Sequence, residues 1–289
     1  MKATSFAPGH ISGFFEPIYH GQNVDKSGSR GSGINVSLGA VSQITVESSV
    51  NQNVDIYINN KRSNTPVTRL AIKHLIGNTP LKIDVRTNLD LPEGQGFGMS
   101  GAGALSATIA LAKLLKIPNE RAIKASHFAE VQLFTGLGDV IASSFGGIEI
   151  RREAGLPPWG MIEHIPGKYE VVLCVIGRRI DTKKILSDPR KLNEIASYGR
   201  YCIKKILEKP SIESLFSLSQ EFTMKTGLAD KKVLGAIDAA NHHGMASMCM
   251  LGNSVFAIGN TDQLSETLSF FGKVYVCTVD LCGARVLEE

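Results

Sequence analysis

PEGQGFGMSGAGA, residues 92–104, joins two strongly patterned segments. Before it, LKIDVRT (81–87) alternates, with Leu81, Ile83 and Val85 on one face of an expected strand. After it, ALSATIALAKLLK (104–116) is apolar nearly all round, which predicts a buried helix ended by Pro118. A glycine loop between a strand and a helix can hold phosphate. Gly94, Gly96, Gly98, Gly101 and Gly103 permit tight turns and let backbone N–H groups converge without side chains in the way. The helix start adds unpaired N–H groups and the positive end of a dipole. Ser100 is the one hydroxyl of the loop, placed to bond a phosphate or face Mg²⁺. The stretch does not match GxxxxGK(S/T), so the nucleotide P-loop class is disfavoured. It also lies outside the N-terminal position expected for a dinucleotide fold. A tight turn that merely caps a packed helix reads equally well at this point.

Downstream, HFAEVQLFTGLGDV (127–140) carries His127 and Glu130 three apart, on one face of an expected helix over 119–134. Glu130 is set among apolar residues, where a carboxylate needs a partner, and Mg²⁺ is a good one. Asp139 follows a glycine-rich turn that could present it to a cleft. Ser100, Glu130 and Asp139 together offer the inventory that phosphoryl transfer requires: a metal anchor and a group that orients the attacking hydroxyl. On these residues alone, a solvent-facing Glu130 and a turn-forming Asp139 read somewhat better. A third segment, GMASMCMLGNSVFAIG (244–259), places Asn253 in a turn before an expected strand, and its methionines read as core filler.

The remaining chain sorts around these stretches. Residues 2–7 read as a short strand leading into APGH, and SGSRGSG (27–33) as a glycine-rich turn. QITVESS and VDIYIN read as strands, and PVTRLAIKHLIG (66–77) as a helix ended by Gly77. IASSFGG is a small-residue segment and IEIRRE (148–153) a strand. GLPPWG (155–160), with two Pro and two Gly, is the expected boundary between two halves. The second half restarts with the apolar strand YEVVLCVIG (169–177), has helical patterns between Lys183 and His242, and ends with strands SVFAIG (254–259) and KVYVCTV (273–279). The layout is α+β. The 289 residues suffice for one or two domains, and a composition 43% hydrophobic and 20% charged is globular. A net charge of +4 is too weak to argue for nucleic acid, and no stretch reaches a membrane span. Five cysteines, an odd count without short paired spacing, and no apolar leader make a cytoplasmic protein with free thiols the expectation.

Taken in order, these pieces resemble the GHMP kinase superfamily. Its central motif, Pro-x-x-x-Gly-Leu-Gly-Ser-Ser-Ala, reads here as Pro92, Gly96, Phe97, Gly98, Met99, Ser100, Gly101 and Ala102. Its first motif, Pro-Gly followed by Lys or Arg, is Pro8-Gly9-His10, and MCMLGNSVFA stands where a glycine-rich third motif is usual. Glu130 and Asp139 match its helix Glu and following Asp. Within the superfamily, FAPGHISGFFEP, SGSRGSGINVSLGA, GLGDVIASSFGGIEIRRE and MLGNSVFA are most similar to the archaeal pantoate kinases.

The resemblance implies an α+β, two-domain fold: residues 1–157 like ribosomal protein S5 domain 2, and 158–289 ferredoxin-like, with the ligands in the cleft between. It implies ATP- and Mg²⁺-dependent phosphorylation of the 4-hydroxyl of (R)-pantoate, for coenzyme A synthesis, by a homodimer. Residues 92, 94 and 96–103 (Pro92, Gly94, Gly96, Phe97, Gly98, Met99, Ser100, Gly101, Ala102 and Gly103) would cradle ATP. Ser100 and Glu130 would hold the metal, and Asp139 would orient or deprotonate the hydroxyl. The substrate carboxylate needs a cation, and an arginine fork matches it. Arg30, Arg151, Arg152, Arg178 and Arg179 are candidates, Arg151 and Arg179 foremost, with His10, His127 and Asn253 as further contacts. Three positions depart from the pattern: His10 replaces a Lys or Arg, Met99 replaces a serine, and the third motif lacks most of its glycines. A kinase for mevalonate, homoserine or shikimate, a nucleotide-binding protein without kinase activity, and an interaction module are the alternatives.

Overall fold

The structure, a computed structural model, describes residues 1–180, 185 and 187–288. Its first sheet is organised by a long hairpin of β1 (Lys2–Ile18) and β2 (Gly28–Ser48), antiparallel from Lys2↔Thr45 to Ile18↔Gly28. β3 (Asn53–Ile58), β4 (Lys61–Arg62) and β5 (Leu81–Leu89) extend it beyond β2. α1 (Pro66–Ile76) connects β4 to β5 and stops at Gly77, at φ 59°. Three helices follow: α2 (Met99–Leu114), α3 (Asn119–Leu133) and α4 (Asp139–Phe145). β6 (Ile148–Glu153) pairs with the Gly31–Ile34 part of β2, and β7 (Met161–Ile165) pairs with β6.

The second sheet is antiparallel, in the order β11 (Lys273–Thr278), β8 (Glu170–Val175), β10 (Ser254–Gly259), β9 (Gly244–Met248). Between β8 and β9 run α5 (Pro189–Glu208), α6 (Ile212–Thr226) and α7 (Lys231–Ala240), and α8 (Thr261–Ser269) links β10 to β11. A last strand, β12 (Arg285–Glu288), returns to the first sheet and pairs with β1. Among the described residues no helix is long and apolar enough to cross a membrane.

Several expectations are corrected here. The expected turn SGSRGSG is instead the start of β2, in a strand buried between β1 and β6. Its glycines sit there because the space is taken. A Cβ on Gly31 would lie 2.5 Å from the Phe14 carbonyl oxygen, and one on Gly33 2.3 Å from that of Ile11. β1 does not stop at residue 7 but runs through APGH to Ile18, absorbing Pro8 at a register shift. The buried helix begins at Met99 rather than 104 and ends at Leu114, with Lys116 reversing the chain at φ 54°; Pro118 instead caps α3. The first five residues of IASSFGG are helical and form most of α4, which stops at Gly146. β7 and β12 had no clear period in the sequence and were not expected.

α2 is the central post. It is buried along nearly its whole length and packs on β1, β2, α1 and α3. Each buried Leu or Ile on it, such as Leu105, Ile109 and Leu111, is worth roughly 1.5–3 kcal/mol. That packing fixes where the helix's N-terminal end points, and so fixes the loop before it.

Candidate active site

A cleft opens at the N-terminal end of α2. Its walls are the 94–100 loop, the Thr135–Asp139 turn, Ser12 and Ser29 of the long hairpin, and Met250 and Leu251 from the second half. Gly94, Gly96 and Gly98 take φ of 71°, 75° and 62°, a region that side-chain-bearing residues avoid. Gly98 is the N-cap and supplies no side chain, so the first N–H groups of α2 are left for a ligand. Six of the expected loop residues, Gly94, Gly96, Phe97, Gly98, Met99 and Ser100, line the cleft. Pro92 lies just upstream, and Gly101, Ala102 and Gly103 are buried in the first turns of α2.

The segment in place of the third glycine-rich motif buttresses this loop. A Cβ on Gly96 would be 2.7 Å from the Met250 carbonyl oxygen, and one on Gly252 would be 2.1 Å from that of Gln95. The Ser254 hydroxyl donates to the Gln95 carbonyl, and Ile180 N–H donates to the Gly94 carbonyl at 2.9 Å.

Three elements bring the acidic groups to the loop. α3 carries Glu130, 1% exposed, whose Oε2 accepts a long 3.4 Å bond from Val140 N–H. Asp139 is the first residue of α4, with its side chain 26% exposed. Gly136 sits against both: a Cβ there would be 2.3 Å from Glu130 Oε1 and 2.8 Å from Asp139 Oδ2. Burial, and then the charge of Asp139, push the Glu130 carboxyl well above the usual carboxylate range. A cation between the two carboxylates would relieve both effects.

Behind Asp139 lies a buried polar chain. His10, on β1, is fully buried, and its Nδ1 donates to Asp139 Oδ1 at 2.7 Å. Its Nε2 is 2.8 Å from Glu149 Oε1 and 3.1 Å from Arg151 Nη1. Arg151 also donates from Nη1 to Glu149 Oε1 and from Nη2 to Ser12 Oγ, the latter at 3.1 Å. Burial alone would lower the His10 pKa; hydrogen bonds to Asp139 and Glu149 more than offset it and leave the value raised.

The other expected contacts fall outside the cleft lining. Arg30 donates to Glu16 at 3.2 Å and to the Arg152 carbonyl at 2.7 Å. Arg152 pairs with Glu163 at 2.8 Å. His127 is buried, with Nε2 donating to the Ser27 carbonyl at 3.0 Å, and its Nδ1 has no partner. Asn253 donates to the Arg178 carbonyl at 2.7 Å and holds the 176–178 backbone. Arg178 and Arg179 are exposed, and Arg179 lies beside Gly94, where a Cβ would be 2.8 Å from the Arg179 Cβ. Arg151 is 2% exposed with its fork turned onto Glu149 and Ser12, while its Nε, without an acceptor, faces Gly138 on the cleft wall. Sequence reasoning missed Glu149, Ser12 and Ser29. The period of IEIRRE sets Glu149 and Arg151 on one face, but their partners on β1 and β2 were not visible from it.

Comparison with known proteins follows the same lines. Residues 65–147 match the family described as GHMP kinases N terminal domain. A pantoate kinase of Methanocaldococcus jannaschii is 34% identical over 276 residues, covering 95% of this chain and 99% of the relative. One of Thermococcus kodakarensis is 32% identical over 275 residues, covering 92% and 90%. Among solved structures, a phosphotransferase related to the CoA biosynthesis pathway aligns with a TM-score of 0.90 at 27% identity, over 100% of this chain and 99% of that one. A homoserine kinase of Cytophaga hutchinsonii shares the fold, with a TM-score of 0.71 at 17% identity over 99% and 97%.

Proposed function

This chain belongs to the pantoate kinase family, with the two-domain α+β fold of GHMP kinases, and from that membership we propose how its residues divide the work. The protein is an enzyme that phosphorylates pantoate with ATP. The observation that carries the residue assignment is the convergence of Asp139 and the N-terminal end of α2 on one cleft, with the buried Glu130 carboxyl directly behind Gly101 and Gly136 and outside the cleft lining itself.

In this reading the ATP phosphates lie on the 94–100 loop, bonded by its backbone N–H groups and by the Ser100 hydroxyl. Ser100 and Glu130 would hold Mg²⁺. The donor set fits that ion: hard oxygens, and a buried carboxylate with one long backbone bond. The described residues offer no group of three His, Cys, Asp or Glu for a metal. Mg²⁺ is commonly bound through one or two carboxylates, with substrate phosphates supplying further oxygens. When bound, Mg²⁺ supplies the charge neutralisation that the γ-phosphoryl needs. Asp139 accepts a hydrogen bond from the 4-hydroxyl of pantoate and aims its oxygen in line with the γ-phosphorus. The new O–P bond forms as the bond to the β-phosphate oxygen breaks, and the hydroxyl proton passes to Asp139 and from there to solvent, giving 4-phosphopantoate and ADP. For the pantoate carboxylate we favour Arg179, exposed at the loop rim, and the free Nε of Arg151 behind Gly138.

We further propose the division into 1–157 and 158–289, and a cytoplasmic homodimer. Strands β8–β11 all come from the second part, although β7 and β12 rejoin the first sheet. Exposed Phe270 and Val276 beside the β11 edge support self-association, and five unpaired thiols support a reducing compartment.

ADP release measured with pantoate, mevalonate, homoserine and shikimate tests the substrate. Release with pantoate alone is expected, and release with another acid instead would move the protein to a sister activity. Asp139→Asn is expected to cut turnover by roughly 10²- to 10⁴-fold with ATP still bound. Near-normal turnover would remove Asp139 from its role. Glu130→Gln is expected to raise the Mg²⁺ concentration needed for half activity, and an unchanged Mg²⁺ titration would count against the metal assignment.

A further inference from the structure

Glu149 belongs to no expected site, yet it is fully buried and ionisable, and its Oε2 has no hydrogen-bond partner. Keeping such a group inside costs stability unless it is paired, and Glu149 is paired through Oε1 alone. Glu149 Oε1 is 2.8 Å from one ring nitrogen of His10, and the other ring nitrogen is 2.7 Å from Asp139. The backbone has made room for this chain. In β2, Gly33 pairs with Glu149 and Gly31 with Arg151. A Cβ at Gly33 would be 2.7 Å from His10 Nε2 and 3.0 Å from Glu149 Oε1.

We propose that Glu149 is a positioning residue for phosphoryl transfer: through the His10 ring it fixes the direction in which Asp139 faces the cleft. This rests on the role given to Asp139 above. An Asp139 carboxylate only accepts, so Nδ1 must carry a proton. Nε2 has two claimants. Arg151 Nη1 can only donate to it, at 3.1 Å, whereas the Glu149 carboxylate accepts from it, at 2.8 Å. Glu149 therefore holds the ring from behind with Nδ1–H forward, and Arg151, bonded to Glu149 and to Ser12, holds Glu149. The ring is gripped at both ends and cannot turn over without breaking both contacts. With both nitrogens protonated, the ring also carries a positive charge next to Asp139, at the position where the related motif has Lys or Arg.

The test separates this role from simple core packing. His10→Asn keeps a donor near the Nδ1 position and His10→Gln places one near Nε2. H10N is expected to retain at least roughly tenfold more kcat than H10Q, because a misplaced reacting group costs roughly 10²-fold. E149Q is expected to lower kcat by roughly 10- to 10²-fold with the KM for ATP unchanged. Equal losses in H10N and H10Q, or an E149Q loss carried by the KM for ATP, overturn the proposal. Should the variants fold poorly, ¹⁵N-histidine spectra of the wild-type protein decide it. A protonated, exchange-protected Nδ1 at His10 is expected, and an unprotonated Nδ1 overturns the proposal. If D139N itself keeps its turnover, the reading of Asp139 has failed. If D139N is inactive while the H10 pair does not split, only the positioning role has failed.

Discussion

Single residues in this protein are read by what surrounds them. Glu130 was half legible: four apolar neighbours in sequence flag a carboxylate held inside, but a solvent-facing helix position read somewhat better on the residues alone, and the side chain is buried. Met99, odd beside a motif serine, is buried at the start of α2, so its position offers a backbone N–H and not a hydroxyl. His127 was legible as a helix histidine but not in its partners, since the 24–27 backbone that it bonds is a hundred residues away in sequence. Burial pushes its pKa down, ahead of the opposing bonds to the Ser27 and Val24 carbonyls. The sign follows. Above about pH 6.5 the imidazole is neutral in both folded and unfolded chains and costs nothing. As pH falls below that, the unfolded chain takes the proton first, so stability is lost until the depressed folded value is passed. The unfolding midpoint followed from pH 7.5 to 5 is expected to fall less steeply in H127Q than in the wild type. Parallel curves would show that His127 is not buried in its neutral form.

Elements follow their periods where packing is ordinary and depart where the backbone is crowded. α1, α3, β5 and β10 keep the residues that their patterns predicted. SGSRGSG did not read as a strand because β propensity rewards side chains, while this strand was selected for having few. α5 repeats the point. Gly199 lies in its middle, where helix propensity alone makes Gly→Ala worth about 1 kcal/mol in stability. Yet a Cβ there would lie 2.2 Å from the Phe15 carbonyl oxygen and 2.6 Å from its carbon, both backbone atoms of β1. Crowding of that kind costs about 1–3 kcal/mol and should win. G199A is expected to lower the urea midpoint, and a raised midpoint would mean that α5 can slide away from β1.

At the scale of the whole molecule, the opening strand of the second sheet was legible from the restart at 169–177, and the strands that return to the first sheet were not. Residues 161–165 and 285–288 rejoin the first sheet by pairings of high sequence separation, and no local pattern announces those. The thiols record how the halves are filled. Burial holds Cys174 up at about 11 and Cys202 and Cys277 at about 12, and raises Cys249 as well. Cys282 is exposed. Alkylation of the native protein at pH 8 is expected to add one group rapidly, at Cys282, and five after unfolding. Two or more rapid native adducts would mean that the second sheet opens. The pairing of Thr4 with Glu288 also has a consequence for how the protein is made. β1, which carries His10, leaves the ribosome long before the strand that covers its outer edge. Until β12 emerges, that edge offers unpaired N–H and C=O groups to other nascent chains. Amide protection on the β12-facing side of residues 4–6 should therefore appear in a stalled-chain series long after the hairpin that bears His10 has closed.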